Sequence, residues 1–331
     1  HGVYVTQEIG RGGKLNLNRQ AAAPEVARAE QELVAQQYRV LTDVRIAYFR
    51  VLIAQRQIDL SSNIASMYQQ ALATTDRLFQ AQEISKLDLL DAKLDFENAS
   101  VALKNAQHSH HAAWRNLTAV LGQPDLPEQA LAGDVTITSK RFDYRQTLQH
   151  LLSSSPEIAA AASEIERTRW LYQRALVEHK GNVNLQALYN WQDNGIGGRP
   201  DGAIILDMPI PIWNKNQGGI VKAQGEVTVA EQNLHRVELE LQQRLAPVFE
   251  RYENAANQVA RYNATILALA KESLELSRKA YNSGELGYLD MLDAQRKYSS
   301  AQSDYLDALR DLRQAEAEMD GFLLQNSLQA K

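Results

Sequence analysis

The sequence contains no cysteine, and this absence excludes the small scaffolds that depend on disulfide bonds. A chain without cysteine fits an oxidising compartment, although the absence alone does not locate the protein. Glycine is also modest in number, with 17 residues, whereas 44% of the chain is hydrophobic. This composition differs from that of disordered chains, so an ordered protein is expected, with one large or two ordinary domains.

An excess of basic charge is missing as well. The formal net charge is −5 and the isoelectric point is about 5.9, which argues against a surface for nucleic acid, whose phosphates require a basic face. A run of about 18 apolar residues, the length that spans a bilayer as a helix, does not occur. The chain opens at His1 in an apparent strand, without a secretory signal peptide.

Recognisable catalytic motifs are absent. The sequence has no glycine-rich phosphate loop, no nucleophile motif and no convincing acid and base set. The protein is therefore not expected to be an enzyme, and no cofactor is predicted.

A ten-residue segment occurs twice, and the two copies lie about 202 positions apart. They are Glu83–Ala92 (EISKLDLLDA) and Glu285–Ala294 (ELGYLDMLDA). Each copy lies between two segments with helical periodicity. Each also contains a helix-start signature, Ser85 or Gly287 followed three positions later by an acidic residue. Each segment is therefore predicted to form the tip of a helical hairpin.

Behind each tip, apolar residues recur in alternating steps of three and four. In the second copy this stripe is formed by Met291, Ala294, Tyr298, Ala301, Tyr305, Ala308, Leu312, Ala315, Met319 and Phe322. The matching residues of the first copy are Leu89, Ala92, Phe96, Ala99, Leu103, Ala106, His110, Ala113, Leu117 and Val120. His110 is the residue that breaks the apolar stripe. A seven-residue repeat in which large residues alternate with alanine predicts knobs-into-holes packing of closely spaced helices.

The order strand, glycine turn, long helix, tip and return helix is predicted twice. Repeat 1 is expected over residues 1–121, a linker over 122–141 and repeat 2 over 142–331. In repeat 1 a strand is predicted over Val3–Ile9. A long helix follows, with Pro24 in its first turn and its end near Gln82. The return helix is predicted from about Lys86 to Leu121.

Repeat 2 is predicted to begin with two helices, near Tyr144–Leu152 and from there to about His179. Alternating residues over 182–212 predict a β-hairpin, whose second strand runs from Ala203 to about Ile212 and whose loop covers 192–202. A helix of about 60 residues then leads to the second tip, over 282–290. Because repeat 1 lacks the helix and strand that precede the glycine turn in repeat 2, about 60 residues are expected to precede His1.

The strands allow two interpretations. About ten residues with one apolar face, one polar face and aromatic residues near an end are typical of a transmembrane β-barrel. The alternative is a soluble hairpin packed on helices. Helices of nearly 60 residues reach roughly 85–90 Å, and this length favours the first interpretation.

In these features the sequence resembles the TolC family of outer-membrane efflux ducts. The resemblance covers essentially the whole chain. It rests on the duplicated strand and hairpin repeats, on the linker and on the tip residues Tyr281–Glu285 and Leu289–Ala294. The segment Met208–Gly219 resembles the strand-to-helix segment of the CzcC-like heavy-metal branch. The implied fold is mainly α with a minor β part: long coiled-coil hairpins form an α-helical tunnel, and strands contribute to a trimeric transmembrane β-barrel.

The same resemblance implies the function and the partners. A homotrimer in the bacterial outer membrane, in contact with outer-membrane lipid, would extend into the periplasm as a passive duct. A periplasmic adaptor and an inner-membrane RND-type pump would dock at its tip, and metal cations would be the exported substrate. A multidrug or protein-secretion duct is an alternative, and so is a soluble coiled-coil scaffold, which belongs to a different class of protein.

Four aspartates are candidates for a gate. By the resemblance, Asp290 and Asp293 match the family's aspartate ring at the periplasmic entrance, and Asp88 and Asp91 occupy the repeat-related tip. Three protomers would form a ring that attracts cations and raises some carboxylate pKa values. Alternatively, Asp88 and Asp290 complement a helix N-terminus, which contributes about 0.3–1 kcal/mol each. Leu286 stands where a well-known family member has an arginine that ties its closed gate, so the same latch is not expected.

The tips are also candidates for adaptor and pump docking. The docking residues are expected to be Gly284, Glu285, Leu286, Gly287, Tyr288 and Leu289 in the second tip and Glu83, Ile84, Ser85, Lys86 and Leu87 in the first. Exposed Leu and Tyr side chains would suit such a surface. In the alternative interpretation these side chains fold back and plug the end of the hairpin.

Three histidines near the end of the first return helix suggest a metal site. Only residues three or four apart share a helix face, so His108 and His111 are placed to share an ion. His110 belongs to the apolar stripe and points into the seam, the line along which neighbouring helices pack. A solvated face with one polar seam residue is the favoured alternative, and no metal ligand is assigned.

Overall fold

The computed structural model describes residues 2–136, 141–191 and 200–329. Most of the predicted loop over 192–202, and residues 137–140 of the predicted linker, lie outside this part of the chain. A π-helical turn, Tyr262–Ile266, interrupts the long helix of the second repeat. The elements in chain order are β1 (Gly2–Ile9), α1 (Lys14–Gln80), α2 (Lys86–Val120), α3 (Tyr144–Ser154), α4 (Pro156–Val177), β2 (Val183–Asn190), β3 (Asp201–Asp207), α5 (Gln217–Arg261), α6 (Leu267–Asn282) and α7 (Tyr288–Asp320).

The secondary structure agrees with the sequence-based prediction of a mainly helical chain with a few strands. The predicted return helix from Lys86 corresponds to α2, and the two predicted helices at the start of repeat 2 correspond to α3 and α4. Among the described residues, none of the helices has an apolar stretch long enough to cross a bilayer.

Two predicted boundaries are wrong, and both involve proline. Helix α1 begins at Lys14, so Pro24 lies inside the helix and not in its first turn. A helix interior tolerates this proline at the cost of one backbone hydrogen bond, and the alanines at 21–23 favour the helical conformation. Strand β3 ends at Asp207 instead of near Ile212. Pro209 and Pro211 follow, and neither has an N–H to donate to a sheet.

The described residues form two compact units. Unit 1 consists of the residues up to Ala35 together with His150–Leu241, and unit 2 consists of Gln36–Gln149 together with the residues from Gln242 onward. Both units contain parts of both sequence repeats. The division into repeats at residues 121 and 142 describes the sequence pattern and remains a prediction.

Unit 1 contains a three-stranded antiparallel sheet in the order β1-β2-β3. Ala187 of β2 pairs with Val5 on one side and with Ile204 on the other, so the three residues lie on one face. This apolar face is exposed, since Val5 retains 71% and Ile204 retains 79% of its accessible surface. A soluble hairpin packed on helices would cover such a face, so the exposure disfavours that interpretation.

In unit 2 the predicted stripe lies against neighbouring helices. Every stripe residue of α2 and α7 is buried or half-buried, and the alanines are among the most buried, with Ala106 6% and Ala308 2% exposed. His110 is buried in the seam as predicted, at 8% exposure. Alanine at alternate stripe positions, as far as Ala113 and Ala315, allows helices to approach closely.

Helix α1 is the common partner of α2 and α7 in unit 2. Near the tips, Tyr68 of α1 packs with Ala99 of α2 and Leu292 of α7 in one buried cluster. Further along, Val51 packs with Trp114 of α2, and Leu52 packs with Leu309 of α7. The contact of one helix with both return helices requires apolar residues on more than one of its faces.

The segment 122–136, which follows α2, lies against the helices of unit 2. The Ala132 carbonyl accepts a hydrogen bond of 2.7 Å from the Tyr48 hydroxyl, and the Val135 carbonyl accepts one of 3.0 Å from Arg313 Nε. Val135 is 3% exposed and belongs to the cluster of Leu52 and Leu309. The segment is therefore part of the packed structure of unit 2.

The alternation of large residues with alanine predicts a matched pair of variants on α2. Ala106→Leu should destabilise the protein by about 1–3 kcal/mol, because the added atoms enter a closely packed seam. The same substitution at exposed Ala102 should change stability by less than about 0.5 kcal/mol. Thermal unfolding followed by circular dichroism in mild detergent compares the two variants. Equal effects would show that the seam does not restrict side-chain volume.

Candidate functional site at the tips of the helical hairpins

Both hairpin tips begin with the same backbone turn. In the second tip the N–H of Glu285 donates to the Ala280 carbonyl at 2.9 Å, and Gly284 has a φ of +76°. In the first tip the N–H of Glu83 donates to the Leu78 carbonyl at 2.9 Å, and Gln82 has a φ of +62°. A hydrogen bond from the N–H of one residue to the carbonyl five residues earlier, with a left-handed residue just before the donor, defines the Schellman motif at a helix end. Gln82 and Gly284 occupy the same place in the two sequence copies.

The first turn of each return helix begins differently. Ser85 caps α2: its Oγ accepts a hydrogen bond of 3.2 Å from the Asp88 N–H, and Asp88 Oδ2 accepts one of 3.0 Å from the Ser85 N–H. This reciprocal capping box satisfies two backbone donors. Gly287 caps α7 without a side chain, although its extended backbone, with φ −70° and ψ 156°, matches that of Ser85.

The four candidate gate aspartates therefore have different surroundings within one chain. Asp88 is half-buried and serves as a cap, as the alternative interpretation of this residue predicts. Asp91 is also half-buried, whereas Asp290 and Asp293 are exposed. Asp290 turns back towards the start of α7, since a Cβ built at Gly287 would lie 3.2 Å from its Oδ2.

Asp293 has a partner on its own helix. Lys297 Nζ lies 2.7 Å from Asp293 Oδ2, one helical turn further along α7. The hydrogen bond from Lys297, together with its charge, lowers the pKa of Asp293 below the ordinary 3.8. Because the pKa of Asp293 is lower in the folded state, its ionised carboxylate stabilises the folded protein at pH values above the pKa of the unfolded chain. This stabilisation is lost as the pH falls through the lowered pKa. In the single chain, the pKa shift is opposite to the increase expected for a crowded carboxylate ring.

The predicted docking residues are not uniformly exposed. Tyr288 is half-buried, packs against the cluster of Tyr68 and Leu292, and lies with its ring centroid 5.6 Å from that of Tyr281. Burial raises the pKa of the Tyr288 phenol. Tyr288 thus folds back towards the core, as the alternative interpretation of the tip predicts, and the expectation of an exposed tyrosine at this position is wrong. The reason is that it is the first residue of α7, whose first turn lies against α1.

Other docking residues do face solvent. Leu87 is 66% exposed, whereas Ile84 and Leu286 are half-buried, and the side chain of Leu289 is outside the described part of the structure. The remaining predicted docking residues, which are polar or glycine, are exposed: Glu83, Ser85, Lys86, Gly284, Glu285 and Gly287. The exposed surface of the tips is mainly polar, with Leu87 as its prominent apolar member.

An ion pair behind the tips was not found from the sequence. Arg296 of α7 donates to Asp95 Oδ2 of α2 at 2.7 Å, although the two residues are 201 positions apart. Asp95 is 18% exposed, and the charge of Asp95 adds to the effect of burial in raising the pKa of Tyr68. Helical spacing contains no signal for a pair so distant in sequence.

The structure changes the expectation for the histidines. Helical spacing places His108 and His111 to share an ion, although a solvated face without a metal ligand was the favoured interpretation. His108 is indeed exposed, and it lies outside the one group of three His and carboxylate side chains that come together among the described residues. This cluster contains His110, His111 and Glu128, whose donor atoms lie within 4.8 Å of one another. Sequence reasoning missed Glu128 because it lies beyond the helix, in the segment that folds back.

The two helix ends predict opposite effects of substitution at equivalent positions. Gln82→Gly should stabilise the protein by about 0.5–1 kcal/mol, because glycine adopts positive φ without the steric cost of a Cβ. Gly284→Gln should destabilise it by about 1–2 kcal/mol, because a residue with a Cβ adopts positive φ at a steric cost. A Cβ at Gly284 meets no atom within 4 Å, so a clash with other residues adds nothing to this cost. Gln82→Ala keeps the Cβ and is the control. Denaturant unfolding measures all three, and a Gln82→Ala gain equal to that of Gln82→Gly would contradict the explanation.

Comparisons with known proteins agree with this architecture. The family model described as outer membrane efflux protein matches residues 1–123 and 147–323. The cobalt-zinc-cadmium resistance protein CzcC of Cupriavidus metallidurans is 26% identical over 314 residues, which are 94% of this chain and 74% of the relative. The protease secretion protein PrtF of Dickeya chrysanthemi is 25% identical over 275 residues, which are 78% of this chain and 58% of that protein.

A solved structure has the same fold. The outer-membrane channel OprN matches 98% of this chain and 75% of its own chain, with a TM-score of 0.82 and 17% identity. The family match covers both repeats and both tips, which confirms the resemblance found in the sequence. The chain belongs to the outer membrane efflux protein family, whose members are ducts of the bacterial outer membrane that extend into the periplasm.

Proposed function

We propose that this protein is the outer-membrane duct of a tripartite system that exports metal cations. The observation that supports this substrate most directly is the similarity to a cobalt-zinc-cadmium resistance protein over 94% of the chain. The duct is passive, and its direction and energy come from a periplasmic adaptor and an inner-membrane RND-type pump.

The sheet of unit 1 supports assembly into a homotrimer within the outer membrane. With the order β1-β2-β3, strands β1 and β3 are both edges in the single chain. Edge strands have unpaired N–H and C=O groups, which strands from neighbouring protomers would satisfy. The exposed apolar face around Val5 and Ile204 would then contact lipid.

The tips are proposed to gate the duct and to bind its partners. Asp290 and Asp293 are exposed on one face of α7, so three copies around an axis would bring six carboxylates together. The positive charge of Lys297 partly neutralises the carboxylate of Asp293. Asp290 therefore contributes more of the net negative charge on that face. Such a ring would concentrate cations at the entrance. Docking would use the exposed residues around Glu83, Leu87 and Glu285.

A protein-secretion duct is the second candidate. It is favoured by the similarity to a protease secretion protein, which covers 78% of this chain. The two candidates share the fold and the duct and differ in the partners that select the substrate. The soluble scaffold is disfavoured by the exposed apolar sheet face and by the family match.

The proposed substrate predicts a metal-sensitive phenotype. Removal of the protein from its native host should lower tolerance to Co²⁺, Zn²⁺ or Cd²⁺ by about tenfold or less, because export is one of several defences. Growth in graded cation concentrations measures the effect, and the yield of secreted protease in the same cells is the control. If cation tolerance is unchanged and protease secretion is reduced, the protein is a protein-secretion duct and metal export is the wrong assignment.

The proposed gate predicts a change in cation block. Full-length protein with Asp290→Asn and Asp293→Asn should require about tenfold more divalent cation for half-block of conductance, which corresponds to about 1.4 kcal/mol. Single-channel recording in a planar bilayer makes the measurement. Asp307→Asn on the same helix, away from the tip, is the matched control. Unchanged block in the double variant would remove the gate assignment without affecting the duct.

A further inference from the structure

Two adjacent histidines of α2 share one carboxylate in unit 2. His110 Nδ1 lies 2.5 Å from Glu128 Oε1, and His111 Nδ1 lies 2.5 Å from Glu128 Oε2. Glu128 comes from the segment that follows α2 and folds back along it. The cluster therefore connects the end of a helix to the chain that leaves it.

Adjacent residues on a helix point about 100° apart, so two such imidazoles do not face each other directly. Their ring centroids are 6.3 Å apart here. One carboxylate that lies between the rings reaches both, because it has two oxygens. This arrangement explains why a rule based on residues three or four apart did not find the cluster.

The position of Glu128 is fixed by contacts on both sides of it in the sequence. The Leu126 carbonyl accepts a hydrogen bond of 3.1 Å from Trp114 Nε1. Leu126 and Leu131 both pack against the buried cluster that contains Val51 and Trp114. Glu128 is thus held against α2 by partly buried leucines that pack on a buried cluster before any ligand binds, as a preorganised site requires.

His110 occupies a position where packing alone would favour an apolar residue. Its counterpart in the second repeat is Leu312, and both are buried in the seam. The side chain of His110 is only 10% exposed, and its Nε2 is buried without a hydrogen-bond partner. An unpaired buried polar atom costs about 1–3 kcal/mol. Nδ1, the ring atom that faces Glu128, is the one available to a ligand, so a ligand-binding role for the histidine rests on Nδ1 and its carboxylate partner.

The other side of the cluster is open to solvent. The side chains of His111 and Glu128 are 55% and 34% exposed, so an ion and water can reach the donor atoms. Burial acts to raise the pKa of Glu128, but the hydrogen bonds and charges of His111 and His110 outweigh it and lower that pKa.

We propose that His110, His111 and Glu128 form a binding site for a divalent transition-metal cation of the zinc type. Two imidazole nitrogens and one carboxylate are a zinc ligand set, with water in the fourth position, and they also suit cobalt, nickel and copper. Tetrahedral bonds of about 2.0–2.2 Å would separate a nitrogen from an oxygen by roughly 3.4 Å. The two nitrogen–oxygen separations of 2.5 Å would open by about 1 Å, and the longest separation among the three donor atoms, at most 4.8 Å, would close by less than about 1.5 Å.

The site does not depend on the substrate that the duct exports. A bound cation would join the end of α2 to the segment that follows, so the expected consequence is local stabilisation in the presence of metal. Its position on α2, well away from the tip residues, separates it from the proposed gate.

The experiment uses full-length protein without a polyhistidine tag, stripped of metal by dialysis against a chelator. Titration with Zn²⁺ against a chromophoric competitor should show one high-affinity ion per chain. The protein loaded with Co²⁺ should show the visible absorption of a tetrahedral site. Glu128→Gln and His111→Ala should each weaken Zn²⁺ binding by about 10–100-fold, and His108→Ala, on the same helix but outside the cluster, should leave it unchanged.

A further variant separates binding from folding. His110→Leu restores the apolar stripe with the residue of the second repeat, so it should fold at least as stably as the parent protein without metal. It should also lose the Zn²⁺-dependent rise in melting temperature that the parent shows. The proposal is wrong if Zn²⁺ does not bind, if Glu128→Gln and His111→Ala bind it as the parent does, or if His108→Ala weakens binding equally. In that case the cluster is a hydrogen-bonded structural contact only.

Discussion

The alternation of large residues with alanine along α2 and α7 is the constraint on which the rest of unit 2 depends. Because alanine occupies four of the five alternate positions of each stripe, α1 can pack against both return helices at close range. The seam then fixes which residues face outward at the tips and which are available to other chains. A polar residue within such a seam, as at His110, is costly unless another contact compensates for it.

The tips show how one backbone solution is reached with different side chains. Gly284 supplies the left-handed residue of the second tip at no steric cost, whereas Gln82 adopts the same conformation with a Cβ. Ser85 and Asp88 supply a complete capping box, whereas α7 begins at a glycine. The second tip therefore has fewer local restraints at its helix start, which suits an element that is proposed to open and close.

A passive duct needs little chemistry of its own. The family match, the exposed apolar sheet face and the polar tips agree with the proposed duct, in which the partners would choose the substrate. The proposed cation site adds one feature that a generic duct does not need. It is placed where the chain leaves α2, so it would act on the packing of the chain and not on the entrance.

The sequence by itself determined the hairpins, their tips, the buried stripe with His110 in the seam and the two-faced strands. These features follow from local rules, namely helical and strand periodicity, capping and turn preferences, which neighbouring residues specify. Tertiary structure alone decided that Arg296 meets Asp95 and that Glu128 joins His110 and His111. It also decided between the two interpretations of Tyr288, which packs half-buried against the core. It also decided that α1 continues through Pro24, because packing can offset one lost backbone hydrogen bond. Contacts between residues far apart in the chain depend on how whole elements pack, and no local pattern records that.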